Sequence, residues 1–426
     1  MWGLPAIQHS RSKQNIVSRF EDDGGLGKAL KGEFLLCGHC AVVAFALQVE
    51  CNVCSISHVS FCYCFPVSTS IDTVQNKSPL LSWIPKELTV LANQALSELP
   101  RIQFPELNEK ELRNELGLKK LVMELMADVL PELKGIMKES CIDYSDDGDE
   151  ISAASARTPV VYAIVAAYQF RWFVTQVEYP HLGKLCSLVI PCALTAVDHW
   201  SPEVKGQGML SFIHLVKNVN AAEFGVYEDV ILDICCKNIA STDELWHHVV
   251  EMSVLMVTCT QRKNPRSSWF EKMMNEMLSH LERQPRHKDR RNSWLELIEP
   301  VFNSMGIVLL AHFTRIFPLL FQWMHADDDR TVILVLEMVQ TIIKLTWIRN
   351  TPYTERLVEE LTVAHKEAAL RRSREEIRNQ VLQILVLLQK CKGPQFEEVW
   401  DKYRDDPNLR TLSSSLCKET AAVVAH

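Results

Sequence analysis

Glycine is scarce in this chain, and much of it lies at one end. The 426 residues include 15 glycines, and six of these fall within the first 40 residues. An average protein has about 7% glycine. So little glycine excludes a collagen-like chain and argues against a β-sandwich or a doubly wound fold with phosphate loops. It suits helices, in which an interior glycine costs about 1 kcal/mol relative to alanine.

Positive charge is also in short supply. Lysine and arginine total 45 against 53 acidic residues, which gives a formal net charge of −8. Proteins that bind duplex nucleic acid carry a basic face, and anionic lipid surfaces attract polybasic segments. The composition therefore predicts neither a nucleic acid nor a membrane as the partner.

The motifs of common enzymes are absent from the sequence. It contains no Gly-x-x-x-x-Gly-Lys-Ser/Thr loop, no Gly-x-Gly-x-x-Gly turn and no Gly-x-Ser-x-Gly elbow. These are the patterns that cradle phosphates or present a nucleophilic serine. The adjacent His247 and His248 do not match the His-Glu-x-x-His pattern, which places both rings on one helix face. We therefore predict a protein that is not an enzyme and holds no cofactor.

The first 78 residues differ in character from the rest. They hold six of the 14 cysteines and an uncharged apolar run at 34–49. One interpretation is a zinc site, because paired thiolates two residues apart can chelate a tetrahedral ion. Its candidate ligands are Cys37, Cys40, Cys51 and Cys54. A second is a membrane segment, although the run is shorter than the roughly 20 residues that span hydrocarbon. The third, which we favour, is an irregular, poorly ordered extension.

The other eight cysteines are scattered from Cys141 to Cys417, and several lie in apolar helical runs. Cysteines in such runs behave as small hydrophobic residues in a reducing compartment. We expect the protein in the cytoplasm and leave the nucleus open as a second location.

From residue 79 the apolar residues recur with a helical period. In the segment 330–346, five of them share one stripe, as expected of a helix with one buried face: Val332, Val335, Leu336, Val339 and Ile342. We predict an all-α fold, an α-α superhelix of the ARM/HEAT type, over 79–406. We also predict an acidic mobile loop at 143–157 and a flexible tail at 407–426. The predicted helices are 79–98, 109–139, 158–178, 182–197, 202–218, 225–239, 242–260, 267–283, 288–304, 307–324, 329–347, 352–371 and 373–391.

Two segments predict the turn inside a helical repeat. In the first, Pro191 lies in an apolar helix, Asp198 follows it, and Pro202 begins the next helix, with Lys205 one turn later. The second has Pro318 before an acidic turn. The two prolines are 127 residues apart, about three repeats of the 40–47 residues typical of HEAT and armadillo proteins. We take these five residues as a structural signature, in which the acid and the base join neighbouring repeats.

The stretch Pro191–Gly208 resembles the Tti-two family of helical-repeat proteins. The shared features are a leucine-rich helix, an Asp before a Ser-Pro pair, and a Lys and a Gly in the next helix. Two later stretches resemble the family as well, namely Met305–Pro318 and Leu336–Arg349, with Ile348 standing where the family tends to have proline. The resemblance spans roughly residues 80–400.

The resemblance implies a function in protein assembly. Tti-two proteins form the TTT co-chaperone complex with two other helical-repeat subunits, and the complex helps phosphatidylinositol-3-kinase-related kinases mature with the 90-kDa heat-shock chaperone. The implied direct partners are helical-repeat subunits, while the chaperone and the kinases are indirect ones. For the partner surface we single out Trp347 and Arg349, since an exposed tryptophan is a common hot spot. The alternative is a generic ARM/HEAT adaptor of an unrelated pathway.

Overall fold

The computed structural model describes Pro100, Phe104 and residues 116–140, 159–241, 244–347 and 352–424. Within these residues every regular element is helical and no strand occurs. The predicted all-α fold class is therefore confirmed. The segments 1–78 and 143–157 lie outside the described residues. The zinc site with Cys37, Cys40, Cys51 and Cys54, the irregular extension and the acidic loop thus stay predictions.

The chain divides into two compact units, one ending at Val219 and the other beginning at Asn220, where the sequence predicts a single repeat domain. The described helices of the first unit are α1 (Leu116–Glu139), α2 (Val160–Thr175), α3 (Cys186–Val197) and α4 (Pro202–Asn218), with a short helical turn at His181–Lys184. Helices α1 and α4 each pack against both α2 and α3. Helix α2 is thus covered on more than one side, which agrees with apolar residues all around its circumference. Its Phe170 and Phe173 are buried in the core.

Gly208 allows α4 to approach α3 closely. A Cβ atom added at this position would lie 2.8 Å from the Cβ of Ala196 and 2.8 Å from the backbone nitrogen of Val197. Real Cβ atoms do not come this close to backbone, so any larger residue would push the two helices apart. This contact gives a physical reason for a glycine inside a helix, where it would otherwise be a cost.

The second unit is a succession of helix pairs. Its helices are α5 (Glu228–Ser241), α6 (Trp246–Thr260), α7 (Ser268–Arg283), α8 (Lys288–Leu297), α9 (Glu299–Met305), α10 (Phe313–Met324), α11 (Asp329–Thr346), α12 (Pro352–Glu367), α13 (Arg374–Lys392), α14 (Pro394–Trp400) and α15 (Arg410–Val424). Short helical turns precede α5 at Ala221–Phe224 and join α9 to α10 at Gly306–His312.

The helices of the second unit form two rows. In the first row, α5, α7, α10, α12 and α14 each contact the next member. In the second row the succession is α6, α8 with α9, α11, α13 and α15. The first-row helices begin at residues 228, 268, 313, 352 and 394, at spacings of 40, 45, 39 and 42 residues. Two rows with this period are the arrangement of ARM and HEAT repeats, in which each repeat packs mainly on its neighbours.

The tail is more ordered than the sequence analysis predicts. A flexible segment is predicted at 407–426, but Arg410–Val424 forms α15, which packs on α13. Leu409, Leu412 and Leu416 are buried there, and their spacing of three and four residues is that of a helix with one apolar face.

One described stretch, Glu299–Met324, is long and apolar enough to span a membrane by length and composition. It is a broken segment, because α9 ends at Met305 and Gly306 follows with a φ of 53°. Phe313 and Phe317 of this stretch are fully buried within the second unit. Its apolar character is accounted for by burial in the core of the repeats.

Candidate protein-interaction surface

The predicted repeat signature lies at the turn between α3 and α4. Pro191 is inside α3, Asp198 ends that helix and Pro202 begins α4. Lys205 lies one turn into α4, where burial lowers its pKa and Asp198 opposes the shift. These residues thus belong to one helix pair, while Pro318 lies inside α10 of the second unit. Whether they serve as a repeat signature stays a prediction.

A charged connection between repeats does occur at the N-terminus of α11. Asp328 accepts a hydrogen bond from the backbone N–H of Thr331, which caps the helix, and it pairs with Arg291 of the preceding repeat at 2.5 Å. Burial disfavours the charged form of Asp328, but hydrogen bonds from Thr331 and Arg291 outweigh it and lower its pKa. The acidic turn therefore caps one helix and ties it to another.

The next residue along makes the same kind of connection in the other direction. Asp329 pairs with Arg371 of the following repeat at 3.3 Å and accepts a hydrogen bond from the backbone N–H of Ser373 at 2.9 Å. Arg371 also donates to the carbonyl of Ala326 at 2.7 Å. Sequence reasoning identified the acidic turn after Pro318 but missed Arg291 and Arg371, which lie about one repeat away on each side.

Trp347 lies at the C-terminal end of α11. Its side chain is on the surface, with 62% of the residue exposed, and its φ of 55° is the one positive φ of a non-glycine residue in the described part of the chain. An L-residue in this region costs roughly 1–2 kcal/mol, and helices usually place glycine there. Arg349, the other predicted surface residue, lies outside the described residues. An exposed aromatic side chain at a strained backbone position makes Trp347 a candidate anchor for a partner.

A groove runs between α11 and α13 on the second row. Its volume is about 460 Å³, and its lining residues are Gln340, Lys344, Asn379, Leu382, Gln383, Val386, Leu387 and Lys390. The amide of Gln340 donates to the Gln383 side chain at 3.3 Å and accepts from Lys344 at 3.1 Å. Apolar side chains of α13 thus lie between amide and ammonium groups, on the face of the repeats that faces solvent.

The first unit also exposes aromatic rings. Trp200 is 52% exposed, but its indole N–H donates to the carbonyl of Ser140 at 3.1 Å, and its ring stacks on His199. Burial, and then the charge of Lys205, lowers the pKa of His199 to about 4, so this ring is neutral at physiological pH. Because Trp200 already holds together parts of its own unit, it is a weaker candidate than Trp347.

Potential metal ligands and two buried thiols of the described residues bear on what chemistry this part of the chain can hold. No group of three or more His, Cys, Asp or Glu side chains is placed to hold a metal ion in that part of the chain. Burial raises the pKa of Cys235 to about 12 and that of Cys236 to about 11, and a thiol protonated at neutral pH is a poor nucleophile.

One curated protein is closely similar in sequence. The Arabidopsis thaliana protein "Uncharacterized protein At2g39910" is 55% identical over 342 residues, which cover 79% of this chain and 78% of that protein. No family model matches the chain.

Among solved structures, yeast importin-β (Kap95p) superimposes with a TM-score of 0.49 at 10% sequence identity, over 96% of this chain and 47% of that structure. Kap121p gives a TM-score of 0.43 at 12% identity, over 98% of this chain and 45% of that structure. The chain spans about half the length of these structures.

Proposed function

We propose that this chain, which belongs to the same family as At2g39910 of Arabidopsis thaliana, is a non-enzymatic helical-repeat scaffold. It binds other proteins through the second-row face formed by α11 and α13. The observation that carries the proposal is Trp347, exposed and left-handed at the end of α11. Glycine or asparagine would relieve the backbone there, so a role in binding accounts for a tryptophan that folding does not favour.

The finer form of the proposal is a subunit of a TTT-like complex. Its support is that three stretches of the sequence resemble the Tti-two family. The first lies at the α3–α4 turn, the second runs from the end of α9 into α10, and the third begins in α11. Direct partners would be other helical-repeat subunits, and through them the 90-kDa heat-shock chaperone and phosphatidylinositol-3-kinase-related kinases. Such a role takes place in the cytoplasm, with the nucleus as a second location.

Affinity capture tests this proposal. The tagged full chain is expressed in cells of its source and captured, and bound proteins are identified by mass spectrometry. We expect two helical-repeat proteins in stoichiometric amount, with the chaperone in smaller amount. Trp347→Ala should reduce their recovery, while Tyr179→Ala, which removes an exposed aromatic ring from the first unit, should not. Recovery of no helical-repeat partner would contradict the TTT-like role.

The second candidate is a generic adaptor of an unrelated pathway. It is supported by the two-row repeat arrangement itself, since such a face can bind many kinds of protein. The same capture separates the two, because an adaptor would recover a reproducible partner set without the chaperone and the kinases. In both cases the α11–α13 face would be the binding surface.

A further inference from the structure

The groove between α11 and α13 carries groups that bind polypeptide backbone. Gln340 and Gln383 face each other across it, and Asn379 lies one turn before Gln383 on α13. A carboxamide has both a hydrogen-bond donor and an acceptor. It can therefore bond to the N–H and C=O groups of an extended peptide, as the edge of a β-sheet would do. The Asn379 side chain makes no hydrogen bond to the described residues, so its amide is available.

The charges of the groove have one sign. Lys344 and Lys390 lie in the last turns of α11 and α13 and are both exposed, and no lining residue carries a carboxylate. Glu337, in the middle of α11, and Glu376, in the first turn of α13, are exposed about one turn before Gln340 and Asn379. An occupant with acidic side chains is therefore attracted to the end of the groove that holds the two lysines.

The dimensions of the groove limit the length of the occupant. On α13 the lining residues run from Asn379 to Lys390, about 16 Å at the rise of an α-helix. An extended chain advances about 3.3 Å per residue, so the groove holds roughly five residues. Leu382, Val386 and Leu387 form an apolar floor. Since alternate side chains of an extended chain point to opposite sides, a sequence alternating apolar and acidic residues satisfies both floor and lysines.

We propose that this groove binds an extended segment of about five residues from a partner protein, in which acidic side chains alternate with apolar ones. The inference rests on the proposed scaffold function and names the chemistry of the segment that docks on its α11–α13 face. The lysines pair with the acidic side chains, the carboxamides bond to the peptide backbone, and the apolar side chains cover the floor.

Fluorescence anisotropy with short peptides tests the proposal on the full chain. The probe is a labelled peptide of sequence Leu-Glu-Leu-Asp-Leu-Glu, and the comparison peptide has lysine at each acidic position. We expect the acidic peptide to bind at least tenfold more tightly than the basic one, and its affinity to fall as salt is raised from 50 to 300 mM. Lys344→Gln with Lys390→Gln should weaken it about five- to tenfold, as two exposed ion pairs allow.

Two further variants make the test specific. Arg283→Gln with Arg286→Gln removes two exposed positive charges at and after the end of α7 and should change the affinity less than twofold. Lys344→Glu with Lys390→Glu should reverse the preference in favour of the basic peptide. Circular dichroism and thermal melting check that each variant is folded.

Equal binding of the two peptides by the natural chain would overturn the proposal. An acidic-peptide affinity that is the same in the Lys344→Gln, Lys390→Gln variant and the Arg283→Gln, Arg286→Gln control would do so too. These outcomes leave the scaffold function standing if affinity capture still recovers partners. If capture recovers none while the acidic peptide binds as expected, the scaffold assignment fails and the groove remains a peptide site.

Discussion

Asp328 is the residue whose replacement tests the repeat packing most sharply, because one carboxylate caps α11 and binds Arg291 of the preceding repeat. Losing an N-cap costs about 1 kcal/mol. Arg291 is only 11% exposed in its side chain, so leaving its charge without the carboxylate adds roughly 1–2 kcal/mol. The arginine keeps its bond to the Thr331 hydroxyl at 3.1 Å, which limits the penalty. We expect Asp328→Ala to lower the free energy of unfolding by about 2–3 kcal/mol.

The neighbouring substitutions separate the two roles. Asp328→Asn keeps a side-chain acceptor for the cap but loses the charge, so we expect a loss of about 1 kcal/mol. Asp327→Asn is the matched control, since Asp327 is exposed, and it should stay within about 0.5 kcal/mol of the natural chain. In a thermal melt the three shifts should be about 4–12 °C, 2–4 °C and 2 °C or less. Equal effects of Asp327→Asn and Asp328→Asn would refute the reasoning.

The pH dependence gives a second check on the same residue. The folded chain lowers the pKa of Asp328, so the stability it contributes is present above the unfolded pKa, near 3.9, and is lost as pH falls through the folded value. The difference between the natural chain and Asp328→Asn should therefore shrink below about pH 4. A difference that grows on acidification would contradict the assignment.

Three other substitutions have expected outcomes of different sign. In urea denaturation Trp347→Gly should raise the free energy of unfolding by about 1 kcal/mol, because glycine relieves the left-handed backbone. The same variant should recover less partner in affinity capture. A destabilised variant would refute this reasoning. Gly208→Ala should destabilise by about 1–2 kcal/mol, since overpacking against α3 outweighs the gain in helix propensity; a higher melting temperature would refute the close contact. His325 bonds Glu360 at 2.7 Å and Glu367 at 2.8 Å, and although burial opposes protonation, the two carboxylates raise its pKa. The stability that His325 contributes is therefore fully present below the unfolded pKa near 6.5 and is lost as pH rises through the folded pKa. We expect His325→Gln to lower the free energy of unfolding by about 1 kcal/mol at pH 5.5 and by little at pH 9. A pH-independent difference in melting temperature would refute it.

Features that depend on local sequence could be predicted. The apolar period gives the long helices, and Ser201-Pro202 begins α4 as expected, although the Ser201 hydroxyl donates to Glu203 instead of capping the helix. Local signals were also misread. The predicted helix at 288–304 is two helices that meet at Ile298, and Pro300 was the available sign of a new start.

Features that depend on two repeats could not be predicted from one sequence. Asp329 and Arg371 are 42 residues apart, and only the register of successive repeats brings them together. The groove likewise needs the exposed faces of α11 and α13 side by side, and each face alone has the mixed polar character of any solvated helix. The left-handed backbone of Trp347 has no local sequence signal, since glycine or asparagine is the usual residue at such a helix end.

Hydrogen exchange on the captured complex tests the central claim, which is that the α11–α13 face is where partners dock. Exchange of backbone amides is measured by mass spectrometry for the chain alone and for the chain bound to its captured partner. We expect added protection in peptides covering residues 340–347 and 379–390, with first-row peptides such as 268–283 unchanged. Protection confined to the first row or to the first unit, with 340–347 and 379–390 exchanging as in the free chain, would contradict the account.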